Sequence, residues 1–217
     1  MSVITCEAVL FDLDGVLVDS TPCVTRIWSA WAVEHRLDPA YVVHVAHGQR
    51  TVETVRKVAP HLNAPHEAAI IEEREIEDTE GLRVLPGAPE LLAVLPADRY
   101  TIVTSGTRRL ATKRLQVVGL PVPANMVTAD DVTRGKPDPE PYLKGAAAVG
   151  FAASDCLVFE DAPSGIRAAK AAGTRVIGVT TTYQAEELTD ADRVISSLLN
   201  LRLRTDAGDG LLELALS

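Results

Sequence analysis

Two carboxylates two residues apart, Asp12 and Asp14, follow the apolar run Ala8-Val9-Leu10-Phe11 and end at a glycine, Gly15. Such a run reads as a strand buried on both faces, the kind found in the middle of a parallel sheet. Ligand sites in these sheets lie at the carboxyl ends of the strands, which is where Asp12 stands. Side chains at i and i+2 of an extended chain point the same way, so the two acids can converge on one pocket. About 4 Å apart they would repel by roughly 1 to 4 kcal/mol, depending on the local dielectric, unless they share a proton or a cation. The pair therefore calls for a magnesium ion or a raised pKa, and points to acid chemistry on phosphate. The plainer alternative is an Asp-Gly turn carrying two solvated acids.

Three later clusters suit the same chemistry. Ser105-Gly106-Thr107 closes the strand signal Tyr100 to Thr104 and precedes a helix. A short hydroxyl beside amides at a helix N-terminus is a site for phosphate oxygens, although a plain Ser-Gly turn has the same letters. Lys136 lies between Gly135 and Pro137, which restricts its backbone; it can neutralise an attacking carboxylate and an incoming phosphate, or serve as a structural ion pair. Glu160-Asp161 leaves the apolar run Cys156 to Phe159 directly, and can cap the next helix or complete an oxygen cage for magnesium. Each cluster alone is weak. In this order, each at the carboxyl end of a strand, they describe phosphoryl transfer.

The elements that position them form two groups. Thr21-Pro22 starts a helix whose Val24, Ile27, Trp28 and Trp31 make one apolar face, and helical signals follow at Thr51 to Ala59 and His66 to about Asp78. No strand signal interrupts 20–84. From Pro86 onward helices and strands alternate: Glu90 to Leu95, Tyr100 to Thr104, Arg108 to Val118, Met126 to Thr128, Pro141 to Val149, Cys156 to Phe159, Ser164 to Ala172, Val176 to Val179, and a weaker Arg193 to Ile195. This alternation predicts an α/β fold with a mostly parallel sheet covered on both faces. The tail alternates at Leu201 to Arg204 and Leu212 to Leu216 around a Gly- and Asp-containing turn, which predicts a C-terminal β-hairpin adding antiparallel strands at a sheet edge.

The 217 residues, 47% hydrophobic and 24% charged, are enough for one well-filled core with an insertion. A net charge of -9 excludes nucleic acid and anionic membrane as general partners and requires a local cation for any phosphate substrate. No apolar run approaches the roughly 18 residues of a membrane span, and Met1 to Cys6 carry no basic stretch leading into an apolar one, so the chain is expected in the cytoplasm. Cys6, Cys23 and Cys156 are far apart and read as buried free thiols.

Asp12-Leu13-Asp14-Gly15, Ser105, Lys136 and Glu160-Asp161 match, in order, the four motifs of the haloacid dehalogenase superfamily of phosphotransferases, and the chain resembles that family over nearly its whole length. The resemblance implies a Rossmann-like core of residues 1–19 and 85–217, a helical cap of residues 20–84, and a monomer. It also implies roles. Asp12 attacks phosphorus; Asp14 serves the leaving group as acid and the hydrolytic water as base; Ser105, Gly106 and Lys136 hold phosphoryl oxygens. Magnesium is held by Asp12, the main-chain carbonyl of Asp14 and Asp161, with Glu160 behind the metal or bound to it through water. Gly135-Lys136-Pro137-Asp138-Pro139 and the stretch Phe159 to Gly165 are similar to the branch of sugar phosphatases and β-phosphoglucomutase. Val103 to Gly106 and His47 to Thr51 look most like phosphatases of 2-deoxyglucose 6-phosphate, glycerol phosphate and other small sugar or polyol phosphates.

Haloacid dehalogenases lack the second acid and need no metal, so Asp14 favours an ester, whose leaving alkoxide needs a proton. The mutase has a cap histidine where spacing from Asp12 places Val24. A non-catalytic protein that kept the fold is the third reading, weakened by the intact motif residues. In the cap, His47 and Arg50 are candidates for phosphate or sugar hydroxyls, His47 equally for a capping or surface role. Glu80, by similarity, is a candidate acceptor for polyol hydroxyls. Arg50→Ala is then expected to harm turnover of sugar phosphates more than that of p-nitrophenyl phosphate.

Overall fold

The apolar run after Glu7 forms strand β2 (Ala8–Phe11), and all four of its residues are buried. The computed structural model describes residues 2–204 and 211–216. Around β2 lie β5 (Tyr100–Ile102), β6 (Cys156–Glu160), β7 (Arg175–Val179) and β8 (Arg193–Ile195), in the order β5-β2-β6-β7-β8 with every pairing parallel. Alternation along β2 explains its uniform hydrophobicity. Val9 and Phe11 face a core shared with α5 (Ala88–Val94) and α6 (Arg108–Val117), whereas Ala8 and Leu10 face a second core with α7 (Glu140–Val149) and α8 (Pro163–Ala171). Both faces are thus covered, as the alternation predicts.

Between β2 and α5 the chain builds a third hydrophobic cluster from helices alone: α1 (Thr21–Glu34), α2 (Pro39–Ala46), α3 (Thr51–Val58) and α4 (Ala64–Glu77). Trp28, Trp31, Val42, Val55 and Ile71 fill it. Helix α2 is absent from the sequence reading because its β-branched Val42, Val43 and Val45 dilute a helical signal. Asp38 nevertheless caps it, accepting from the Ala40 amide at 3.0 Å, with Pro39 in the first turn. One strand does interrupt residues 20–84: β4 (Arg83–Val84) pairs antiparallel with β3 (Val18–Asp19), so both crossings into and out of the helices run side by side.

Two other expectations change. Met126 to Thr128 is reduced to a single bridge between Val127 and Val103, because the chain turns at once into a short 3-10 helix, Ala129–Asp131. The tail strands β9 (Leu201–Arg204) and β10 (Leu212–Leu216) do pair antiparallel, but they extend no edge of the parallel sheet. They join β1 (Ser2–Cys6), unread from sequence, in a separate sheet of order β1-β10-β9. Leu201, Leu212 and Leu214 bury against the same core as Leu91 and Leu92 of α5, so pairing with β1 satisfies the strand hydrogen bonds and covers these leucines together. The turn residues 205–210 lie outside the described part of the chain.

Cys6, Cys23 and Cys156 are free and buried, with thiols pushed up by burial to about 12, 11 and 11. Among the described residues no helix is long and apolar enough to cross a membrane.

Candidate active site

The carboxyl ends of β2, β5 and β6 bring three of the four motifs to one place, and the loop before α7 brings the other. Asp12 continues β2, its amide donating to the Phe159 carbonyl of β6 at 2.9 Å. Its Oδ1 accepts from the Lys136 ammonium at 2.6 Å, and the same Nζ donates to Glu160 Oε1 at 2.6 Å and to the Val103 carbonyl at 3.1 Å. Lys136 is 1% exposed, its ammonium 5.1 Å from the Tyr142 ring centroid. All three of its protons therefore have acceptors within the protein, and it stands behind Asp12 rather than in the open cleft.

Glu160 is saturated in the same way. Oε1 also accepts from the Tyr142 hydroxyl at 2.7 Å, while Oε2 accepts from the amides of Asp161 and Ala162 at 3.0 and 3.1 Å. A Cβ at position 165 would overlap this carboxylate, which is the physical reason for Gly165 in the first turn of α8. Gly15, at φ +82°, does the same for Asp161: any side chain there would strike the Asp161 carboxylate.

Ligand oxygens of Asp12, Glu160 and Asp161 lie within 4.8 Å of one another, all buried. Three carboxylates against the single ammonium of Lys136 leave two negative charges when all are ionised. Burial raises the Asp12 carboxyl to about 7 against the opposing pull of Lys136, and burial, with the Glu160 and Asp12 charges, raises Asp161 well above the usual carboxylate range. An all-oxygen donor set with an excess of two negative charges fits a hard divalent cation, which would relieve the repulsion that protonation otherwise must.

Asp14 does not join this cluster through its side chain. Its Oδ2 accepts from Arg114 Nη1 at 2.7 Å, and Oδ1 is buried without a hydrogen-bond partner. Arg114 comes from α6, and its Nη2 is 3.4 Å from Glu75 Oε2 on α4. The sequence reading missed both residues. The available signal was periodicity: Glu75 continues the buried stripe Ala64, Ala68, Ile71, and Arg114 lies between buried Ala111 and Leu115. A charged residue on an apolar stripe is the mark of a paired internal charge.

A cleft of about 60 Å³ opens over Asp12. Asp14, Ser105, Gly106, His47, Asp161, Glu75 and Arg114 line it, with Val24 and Trp28 as apolar wall. The Ser105 hydroxyl donates to the Gly48 carbonyl at 3.1 Å, tying the β5 turn to the loop after α2, while the Gly106 amide donates to Thr104 Oγ1 at 3.1 Å. His47, the residue after α2, reaches the cleft and packs edge-on to Tyr183; burial lowers its pKa.

The structure does not bring Arg50 or Glu80 to this cleft. Arg50 Nη1 donates to the carbonyls of Val132 and Thr133 at 3.2 and 3.0 Å, and its Nε pairs with Glu53 at 3.7 Å, clamping the start of α3 to the loop before Lys136. Glu80 is exposed, and its main chain is held in the turn after α4 by Asp78 and Arg26. The acid that this segment contributes to the cleft is Glu75. Arg50→Ala is therefore expected to lower kcat/KM about fivefold for sorbitol 6-phosphate and p-nitrophenyl phosphate alike, the cost of a loosened clamp. A loss confined to the sugar ester would restore Arg50 to substrate reading.

A family model for haloacid dehalogenase-like hydrolases matches residues 6–173. Hexitol phosphatase A of Escherichia coli (strain K12) is 42% identical over 198 residues, spanning 89% of this chain and 92% of that protein. Glycerol-1-phosphate phosphohydrolase 1 of Saccharomyces cerevisiae is 38% identical over 195 residues, spanning 84% and 78%. A crystal structure of a hydrolase from Pseudomonas syringae shares the fold with a TM-score of 0.76 at 29% identity, covering 88% of this chain and 94% of that one. The matched span runs from the end of β1 past the whole of α8 and so contains every motif gathered around Asp12; the chain belongs to the haloacid dehalogenase-like hydrolase family.

Proposed function

We propose that this protein is a magnesium-dependent phosphomonoester hydrolase acting on small sugar or polyol phosphates through an aspartyl-phosphate on Asp12. The observation that carries the reading is the Asp12 carboxylate at the end of β2, in the wall of a cleft, with a buried ammonium 2.6 Å behind it and two further buried acids beside it. The similarity to a hexitol phosphatase and to a glycerol-1-phosphate phosphohydrolase supports the substrate class. Residues 20–84 would act as the cap over a core of residues 1–19 and 85–217.

Asp12 forms a bond to phosphorus as the ester P–O bond breaks, splitting one difficult displacement into two. Asp14 gives its proton to the departing alkoxide, then takes one from the water that cleaves the acyl phosphate and releases inorganic phosphate. Ser105 and Gly106 receive phosphoryl oxygens at the end of β5, and Lys136 holds Asp12 in place while offsetting its charge. Glu160 acts through Lys136 and the 160–162 turn, which fits its four bonds to protein donors. Asp12, Asp161 and the Asp14 carbonyl would hold the magnesium, which supplies positive charge against the repulsion between an anionic nucleophile and an anionic phosphate. Val24, in the place of the mutase histidine, contributes an apolar wall with no proton to exchange, which does not favour the mutase reading.

The test is phosphate release from a panel of hexitol, glycerol and sugar phosphates, with Mg²⁺ and with EDTA. Release restricted to the Mg²⁺ arm is expected; equal release with EDTA overturns the metal assignment, and no release from any ester overturns the reaction. Metal binding has a separate readout. Because the Asp12 and Asp161 carboxyls are raised, protons compete with a cation for them as pH falls, so Mg²⁺ should raise Tm more at about pH 7.5 than near pH 5. The opposite order would place the metal elsewhere.

A further inference from the structure

We infer that Arg114 and Glu75 form a positioning pair that holds Asp14 for its work on the leaving group, a role that rests on the reading of Asp14 given above. Arg114 is 4% exposed and lies on the buried face of α6, where an apolar residue would pack at no electrostatic cost. Burying a guanidinium away from water is costly, so its presence requires partners, and removing one partner leaves an uncompensated charge. Those partners come from two distant parts of the chain. Asp14 belongs to the loop after β2, and Glu75, also 4% exposed, belongs to α4 in the helical insertion.

The geometry defines what the pair does. Nη1 donates to Asp14 Oδ2 at 2.7 Å, fixing one oxygen of the carboxylate, while Oδ1 stays unpartnered and Asp14 remains in the cleft wall. On its other side, Arg114 Nη2 is 3.4 Å from Glu75 Oε2, without hydrogen-bond alignment, and Nε and Nη2 are both buried without acceptors. The guanidinium is thus oriented by two acids, tightly by Asp14 and loosely by Glu75. Because Glu75 rides on α4, the support behind Asp14 is complete only when the helical insertion is seated on the core. Arg114 exchanges no proton and touches no reacting atom in this scheme. It acts through Asp14, by limiting the directions from which Oδ1 can meet the leaving oxygen.

The discriminating measurement is kcat/KM, which reports the steps up to departure of the leaving group, for sorbitol 6-phosphate and p-nitrophenyl phosphate. The first releases a basic alkoxide that needs a proton; the second releases a stable phenolate that does not. Arg114→Met is expected to lower kcat/KM about 100-fold for the sugar ester and no more than several-fold for the aryl ester. Arg114→Lys should recover to within about tenfold of wild type, and Glu75→Gln should show the same split at about tenfold. Asp14→Asn is the control. A split in Asp14→Asn combined with equal losses on both esters in Arg114→Met and Glu75→Gln would assign the pair a merely structural role and overturn the inference. No split in Asp14→Asn would instead overturn the acid role of Asp14 itself. Should Arg114→Met fail to fold, Glu75→Gln decides on the same terms, its folding checked by Tm.

Discussion

Asp12→Asn is expected to abolish turnover, by about 10⁴-fold or more, while leaving the protein folded. In the mechanism proposed above the carboxylate bonds to phosphorus, and an amide oxygen in its place is a far poorer nucleophile carrying no charge. Folding should survive because the substitution removes one of three buried carboxylates, and Lys136 retains Glu160 and the Val103 carbonyl as acceptors. Burial already raises the Asp12 carboxyl to about 7, so its charge is not what holds this region together. Two measurements check the expectation: phosphate release at saturating sugar phosphate with Mg²⁺, and phosphate label retained on the chain after a rapid denaturing quench. Wild type should carry label and the variant none. Activity within tenfold of wild type, or undiminished label, would remove Asp12 from the nucleophile's position.

Lys136→Met should act on stability as well as rate. Among the described residues the ammonium is the one cation within hydrogen-bond reach of both Asp12 and Glu160, and both bonds are 2.6 Å. Its loss leaves buried carboxylates uncompensated, a change that costs about 3–5 kcal/mol and shifts Tm by roughly 6–20 °C in a chain of this size. The pH dependence follows from the raised acids. A carboxyl whose pKa is higher folded than unfolded binds its proton more readily in the folded state, so its burial costs least at low pH and most once pH exceeds the folded value. For Asp12 that window runs from 3.8 to about 7, with Asp161 shifted in the same direction. The deficit of Lys136→Met against wild type should therefore be largest above about pH 7, shrink toward pH 4, and be partly relieved by Mg²⁺. A deficit independent of pH and metal would mean that Lys136 contributes packing alone.

Lys136 lies behind Asp12, outside the lining of the cleft. Its neighbours in sequence suggested a cation able to neutralise an attacking carboxylate and an incoming phosphate, or a structural ion pair, and the structure shows it bound by three protein acceptors, Asp12 among them. Holding Asp12 and screening its charge is compatible with the proposed mechanism, in which an anionic nucleophile approaches an anion. Glu160 and Tyr142 complete the support from behind. The absence of a side chain at Gly165 is part of the same device, since the Glu160 carboxylate occupies that space.

What could be read from the chain alone was local. Asp12, Asp14, Ser105, Lys136 and Glu160-Asp161 each sit within a few residues of a strand end, a glycine or a proline. Backbone chemistry of that kind announces itself in short strings, and the parallel sheet, once its alternation is recognised, carries the strings to one edge. The same reasoning yielded the helical insertion and the pairing of the tail strands. What the tertiary structure decided was everything that depends on which face of one element meets another. Arg114 and Glu75 stand on the apolar stripes of their helices, which marks them as paired internal charges, but that they meet each other and Asp14 follows only from the packing of α4 against α6. Arg50 and Glu80 carry the right chemistry in the right region, yet the docking of α3 on the loop before Lys136 and the turn after α4 direct them away from the cleft. The tail pairs with β1 rather than with an edge of the parallel sheet, and its Leu201, Leu212 and Leu214 bury in the core beside α5, a partner that no local pattern names. Asp12 and Asp14, alike in sequence, are separated by the same cause: one is enclosed with a lysine and two acids, the other is held by an arginine from a helix a hundred residues away.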